Sequence, residues 1–333
     1  MCRVILIIQC SIILLVPFVS CSNIETDELE DVTSLDSLLN SKKGYPFISG
    51  SIDKEQIFYS DSINFTISGI SLWMAQVKGD KSNQGADCYG KYLFQFRADH
   101  SSIDILDMQE REFVSSIQLM SLGSDYHCNN VDFSGIFYDG RDPFPLLYSS
   151  HQGQSARCIL VDRIISDGYR FELETVQRIT IPSDVDAPLR FTPDAIVDKD
   201  NNCIYVYTGN TIPITAFYIY KFRLPSLNEG EIVTLGRSDI LGSWVICDIP
   251  ANYKQGGMIK DGIMYFMEGV PFWNTDNILR IVDLNAGVYK LVNLTTAFDA
   301  VWEPEDIFIY DNVFYIASNR AGIFRVECNF FYH

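Results

Sequence analysis

One order of elements recurs along this chain, and its last copy is incomplete. The order is a polar threshold, a short alternating strand, a tight turn, a second strand, a loop and a third strand. The segment EPEDIFIYDNVFYIASNRAGIFRVECNF, 303–330, shows it, with turns at Asp311-Asn312 and Asn319–Gly322. QGGMIKDGIMYFMEG, 255–269, followed by NILRIVDL, 277–284, repeats it, and Asp261-Gly262 is a strong hairpin pair. TPDAIVDKDNNCIYVYTG, 192–209, with FYIYKFRL, 217–224, is a third copy. QGADCYGKYLFQF, 84–96, with SSIDILDM, 101–108, is a fourth. A looser fifth runs HCNNVDFSGIF, 127–137, FPLLYSSH, 144–151, and ARCILVDRI, 156–164. A repeat at such a period excludes an irregular fold and points to stacked, similar units.

The first four copies in chain order each continue into a candidate fourth strand, beginning at Glu112, Tyr169, Gly230 and Val288. The last copy has no room for one before His333. The unassigned apolar run ISLWMAQV, 70–77, can supply it. The pattern therefore predicts an all-β protein: a β-propeller of five four-stranded blades, closed by an N-terminal strand. A sixth blade stays open if residues 56–77 give more than one strand, and a β-sandwich is the rival with many short strands.

Antiparallel alternation places every threshold on one face of such a disc. The loops joining strands two and three share that face, and they carry His151, Asn210, Trp273 and Arg320. The expected working site is thus one channel mouth, lined by Gln84, His127, Asn130, Asp194, Gln255, Glu303 and Glu305, with Trp273 and Trp302 as stacking surfaces. An aromatic face beside amides and carboxylates suits a sugar, which stacks its C–H face and hydrogen-bonds through its hydroxyls. The same Glu303/Glu305 pair, with His127, could divide general acid and base roles. With Asp306 it could hold a hard cation such as calcium, or it could simply tie blades together.

The Gln-Gly thresholds, the His127-x-Asn129-Asn130 threshold and the terminal Glu303-Pro304-Glu305 resemble the five-bladed propellers of the teichoic-acid-biosynthesis protein C (TagC)-like and phage receptor-binding-protein group. The motifs cover roughly residues 80–330. That group's last motif carries Gly where this chain has Asp306, and the threshold at Thr192–Ala195 departs from the pattern. The resemblance implies a propeller associated with glycans or cell-envelope polymers and assigns no catalytic residue.

Residues 1–20 read as a secretory signal, with Arg3 ahead of an apolar run. Phe18-Val19-Ser20-Cys21 resembles a lipobox, which makes Cys21 the expected lipidation site, and residues 21–44 read as an acidic linker ahead of a propeller spanning 45–333. The expected address is exported, on the outer membrane or cell surface, held by the lipid anchor alone and monomeric. The formal charge of −18 argues against a nucleic-acid partner. Cys88, Cys128, Cys158, Cys203, Cys247 and Cys328 show no zinc-ligand spacing. Buried thiols are the favoured reading, with disulfides left open. No nucleophile elbow, P-loop or HExxH motif occurs, and no cofactor is identified. The leading reading is a lipid-anchored module that binds a carbohydrate or cell-envelope polymer. A glycan or phosphodiester hydrolase or lyase, and a protein-interaction platform, are the alternatives.

Overall fold

The computed structural model describes residues 52–76, 83–97, 102–119, 128–151, 158–190, 193–210, 214–247, 249–297 and 302–329. The expected signal, Cys21, the linker and His127 lie outside them.

The fold is a five-bladed β-propeller. Blade 1 runs outward through Asn83–Tyr89, Tyr92–Arg97, Ser102–Asp107 and Glu112–Gln118. Blade 2 uses Val131–Phe133, Leu147–His151, Cys158–Ser166 and Phe171–Thr180, and blade 3 uses Asp194–Asp198, Cys203–Gly209, Phe217–Arg223 and Ile240–Ile246. Blade 4 uses Lys254–Lys260, Ile263–Glu268, Ile278–Asp283 and Val288–Asn293. Blade 5 has Pro304–Tyr310, Val313–Ser318 and Gly322–Cys328, and its fourth strand is the N-terminal Ile67–Ala75. The hairpins form where the sequence supplies left-handed residues. Asp261 and Gly262 sit at φ 52° and 77°, and Asp311 and Asn312 at 49° and 58°, as two-residue turns matched to strand twist require.

Five apolar clusters fill the five seams between blades. Tyr207, Phe217 and Phe266 mark the seam of blades 3 and 4, and Phe94, Phe133 and Phe144 that of blades 1 and 2. Val206 and Tyr148 meet between blades 2 and 3, Phe314 and Tyr265 between 4 and 5, and Leu93 and Tyr315 between 5 and 1. A sandwich would have one core between two sheets. Here each sheet packs on both neighbours.

One expected strand joins a different blade. Residues 230–235 do not complete blade 3, because Ile232–Thr234 adds in parallel to the outer edge of blade 2, beside Arg178–Thr180. Ile240–Ile246 completes blade 3 instead. Two further short strands, Glu55–Gln56 and Phe58–Tyr59, cap the outer edges of blades 3 and 4. Between them Ile57 is 2% exposed and packs among Tyr205, Trp244 and Tyr289. The N-terminal segment is thus a strap across two blade edges, covering backbone that would otherwise be an open template for pairing. The six cysteines are free thiols, with Cys128, Cys158 and Cys203 buried.

Candidate functional site

The innermost strands run side by side around the axis. Three of them carry a β-bulge at the threshold: between Asn83 and Ala86, between Lys254 and Gly257, and between Pro304 and Asp306. The extra residue bends the strand and re-aims its side chain, which gives the two Gln-Gly pairs and the Glu-Pro-Glu a shared physical role. Glycine at the bulge permits close approach. A Cβ on Gly256 would lie 2.4 Å from Asp306 Oδ1 and 2.5 Å from the Asn129 carbonyl oxygen. Blades 2, 4 and 5 therefore meet at the axis.

Polar side chains close a ring around that point. Asp306 Oδ2 accepts from the Ala86 N–H (2.9 Å), joining blades 5 and 1. Asp87 Oδ2 accepts from the Phe133 N–H (2.8 Å), joining 1 and 2. Asn130 Nδ2 donates to the Ala195 carbonyl (2.7 Å), and Asp132 accepts from the Val197 N–H (3.2 Å), joining 2 and 3. The Tyr207 hydroxyl donates to the Gln255 carbonyl (2.6 Å), and Lys254 pairs with Asp194, joining 3 and 4. Gln255 Nε2 donates to Glu303 Oε1 (2.7 Å), joining 4 and 5. Asn130 also reaches across the ring, its Oδ1 accepting from the Gly257 N–H (2.6 Å).

The sequence-predicted residues Gln84, Asn130, Asp194, Gln255, Glu303 and Glu305 all arrive here, and each is at most 5% exposed. Asn130 and Asp194 spend their hydrogen-bonding capacity on neighbouring blades. Trp273, 39% exposed, sits on the mouth-side loop of blade 4 against Tyr253, ring centroids 4.4 Å apart. Trp302 packs on Phe324 at 5.2 Å and is half-buried. His151 is buried, its Nε2 2.9 Å from Ser149 Oγ. Sequence reasoning missed Asp87 and Asp132, which looked like ordinary polar alternation, and the fully buried Glu268–Arg280 pair, Nε to Oε1 2.6 Å. The available signal for the two aspartates was position: each lies two or three residues after its threshold amide.

The chemical centre of the ring is the Glu303/Glu305 pair. Glu303 accepts from Gln255 and, through Oε2, from Asn319 Nδ2 (2.9 Å). Burial pushes its carboxyl up to about 7 despite those amides and the Arg320 charge. Burial, then the Glu303 charge, hold Glu305 well above the carboxylate range, although Asn319 and Gln84 face it. Neither Glu305 oxygen makes a well-formed hydrogen bond among the described residues. Two carboxyl groups in a dry site cannot both ionise cheaply. No cluster of three or more His, Cys, Asp or Glu side chains fit to hold a metal ion occurs among the described residues.

These shifts set a pH dependence. The folded chain keeps a proton on Glu303 that the unfolded chain loses near its ordinary 4.5. The resulting stability is full below that value and is lost as pH rises through about 7. Asp87 and Asp162, each raised to about 6 by burial, act in the same direction. His151 opposes them: burial and then Arg178 push it down to about 4, so its contribution is lost as pH falls below 6.5. The melting temperature should therefore be higher at pH 6 than at pH 8. Glu303→Gln should remove part of that difference; an identical pH profile in the variant would contradict the assignment.

No protein-family model matches the chain, and no curated protein sequence does. Solved structures do match in fold. The glutaminyl cyclase of Myxococcus xanthus is 9% identical, over 83% of this chain and 98% of that one, with a TM-score of 0.50. The tail fibre of Staphylococcus aureus phage P68 is 14% identical, over 78% of this chain, with a TM-score of 0.50. This chain spans about half of the tail fibre, 52%.

Proposed function

We propose that the axial mouth binds a hydroxyl-rich ligand, a carbohydrate or cell-envelope polymer. One observation carries the reading: the site has a surplus of acceptors. Both Glu305 oxygens, Asn129 Oδ1 and Asn319 Oδ1 are shielded from solvent and have no well-formed hydrogen bond among the described residues, although the Asn319 and Gln84 amides face Glu305. A protonated Glu305 supplies one donor to this set, which leaves the rest unmatched. Buried polar atoms normally find partners, and a sugar offers several donors at once. The exposed face of Trp273 supplies the flat surface on which a sugar ring stacks. A lipid at Cys21 and the acidic linker would hold this mouth at the outer membrane or cell surface.

The second reading is acid–base catalysis on such a polymer by Glu303 and Glu305. It rests on the position of Glu303 near neutrality, where a group can both give and take a proton. The two fold neighbours, named as a cyclase and as a tail fibre, are compatible with either.

The test is an array of glycans and cell-wall polymers, with and without calcium, probed with wild type and Glu305→Ala. A specific hit lost at least tenfold in the variant is the expected result. Equal binding by the variant would remove the mouth from consideration. Turnover of the bound polymer, abolished in Glu303→Gln while binding persists, would decide for the enzyme.

A further inference from the structure

The seam that closes the ring holds a second cleft, on the face opposite the mouth. Its volume is about 280 Å³, near the lower end for small-molecule sites. Blade 5 contributes Trp73, Tyr310, Tyr315 and Arg325, and the outer turn of blade 1 contributes Met108 and Gln109. Trp73 is the extra residue of a β-bulge in the closing strand, between the pairs Ile323–Met74 and Phe324–Leu72. The bulge leaves the indole at the seam with blade 1, where Tyr315 of blade 5 meets it edge-on at 5.7 Å.

The cations at this cleft differ from the ion-paired arginines of the described residues. Arg97, Arg163, Arg223 and Arg280 each hold a carboxylate, as expected where acidic residues number 43 and basic ones 25. Arg325 is half-buried and makes no ion pair or hydrogen bond among the described residues. Its guanidinium lies 5.8 Å from the Trp73 ring centre. Arg111 lies over the same ring at 3.5 Å, from a backbone at φ 59° that costs a non-glycine residue energy. Both guanidiniums oppose the upward push of burial on the Tyr315 phenol, so both act on one wall of the cleft. The acidic groups nearby are Asp311 on the rim and Glu110 and Glu112 in the blade 1 turn; all three are exposed. Lys91 is engaged by Asp107.

We propose that this cleft binds a small planar aromatic anion, its ring against Trp73, Tyr310 and Tyr315 and its acid group on Arg325. The aromatic walls supply apolar area and stacking. A guanidinium without a carboxylate is preorganised for a carboxylate or phosphate fork. Arg111 adds positive potential at the edge and fixes the indole. Because the cleft straddles blades 5 and 1, a bound anion also staples the closure, and it stabilises the fold by mass action.

Calorimetric titration of the full chain with 2-naphthoate, 2-naphthyl phosphate and uncharged 2-naphthamide tests this. The two anions should bind at least tenfold more tightly than the amide and raise the melting temperature. Arg325→Gln should weaken anion binding at least tenfold. Arg111→Asn, which suits the left-handed backbone, should weaken it severalfold and guards against a folding defect in the first variant. Equal affinity for acid and amide, wild-type affinity in both arginine variants, or no binding by any of the three probes would each overturn the proposal.

Discussion

A chain lacking residues 1–76 will show no cooperative thermal transition, whereas one beginning at residue 47 will melt like the full chain. The compact unit begins at Phe47, and its ring is closed by Ile67–Ala75 pairing along Gly322–Cys328. Without that strand the third strand of blade 5 is an open edge beside an uncovered seam. Ile57, Phe65 and Met74 are also lost from three seams. Each buried side chain of this kind contributes about 1.5–3 kcal/mol. The three together approach the roughly 5–15 kcal/mol that stabilises a typical domain, before the ladder is counted. A peptide covering residues 47–76 added in trans should restore the transition. Retention of a wild-type melt by the truncated chain would contradict closure by the N-terminal strand.

Asn130→Ala should destabilise the protein by about 3–5 kcal/mol. The estimate follows from the partners it abandons, at about 1–3 kcal/mol for each buried group left unsatisfied. The Ala195 carbonyl and the Gly257 N–H each lose a hydrogen bond, on blades 3 and 4. Asp132 loses the amide donor at 2.7 Å that offsets its burial. Asn130 itself is 0% exposed, so water cannot replace it without opening the axis. Asn130→Asp should rescue little. It keeps an acceptor for Gly257 but presents a carboxylate to Asp132 and to a carbonyl. Urea denaturation measures the change, and a loss below about 1 kcal/mol would mean that the axial ring tolerates gaps.

The fold was legible because each of its signals was local and repeated. Alternating strands, the turn pairs Asp261-Gly262 and Asp311-Asn312, and a last unit one strand short all pointed to a closed ring. The destination of residues 230–235 was not legible. A strand's composition shows that it can pair, but not which edge it reaches, and Ile232–Thr234 found the outer edge of blade 2. Glu55–Gln56 and Phe58–Tyr59 are too short to announce themselves by periodicity. The convergence of the thresholds was equally legible, since strand direction dictates it. Their burial was not. It depends on bulges and on Gly256 admitting Asp306 and Asn129 from other blades, which are contacts far apart in sequence. The same limit hid Arg325 and Trp73, which lie about 250 residues apart in the sequence and meet only where the ring closes.

A dry carboxyl pair from blade 5 lies at the axis where the blades meet. Its most direct test is a side-chain carbon-13 titration of the Glu303 carboxyl, assigned with Glu303→Gln. A midpoint near 7, well above the ordinary 4.5, is the expected result. It would place a proton-holding, solvent-shielded pair where the proposed ligand binds. A midpoint near 4.5 would show an ordinary solvated carboxylate, and would contradict both the buried carboxyl pair and the function built on it.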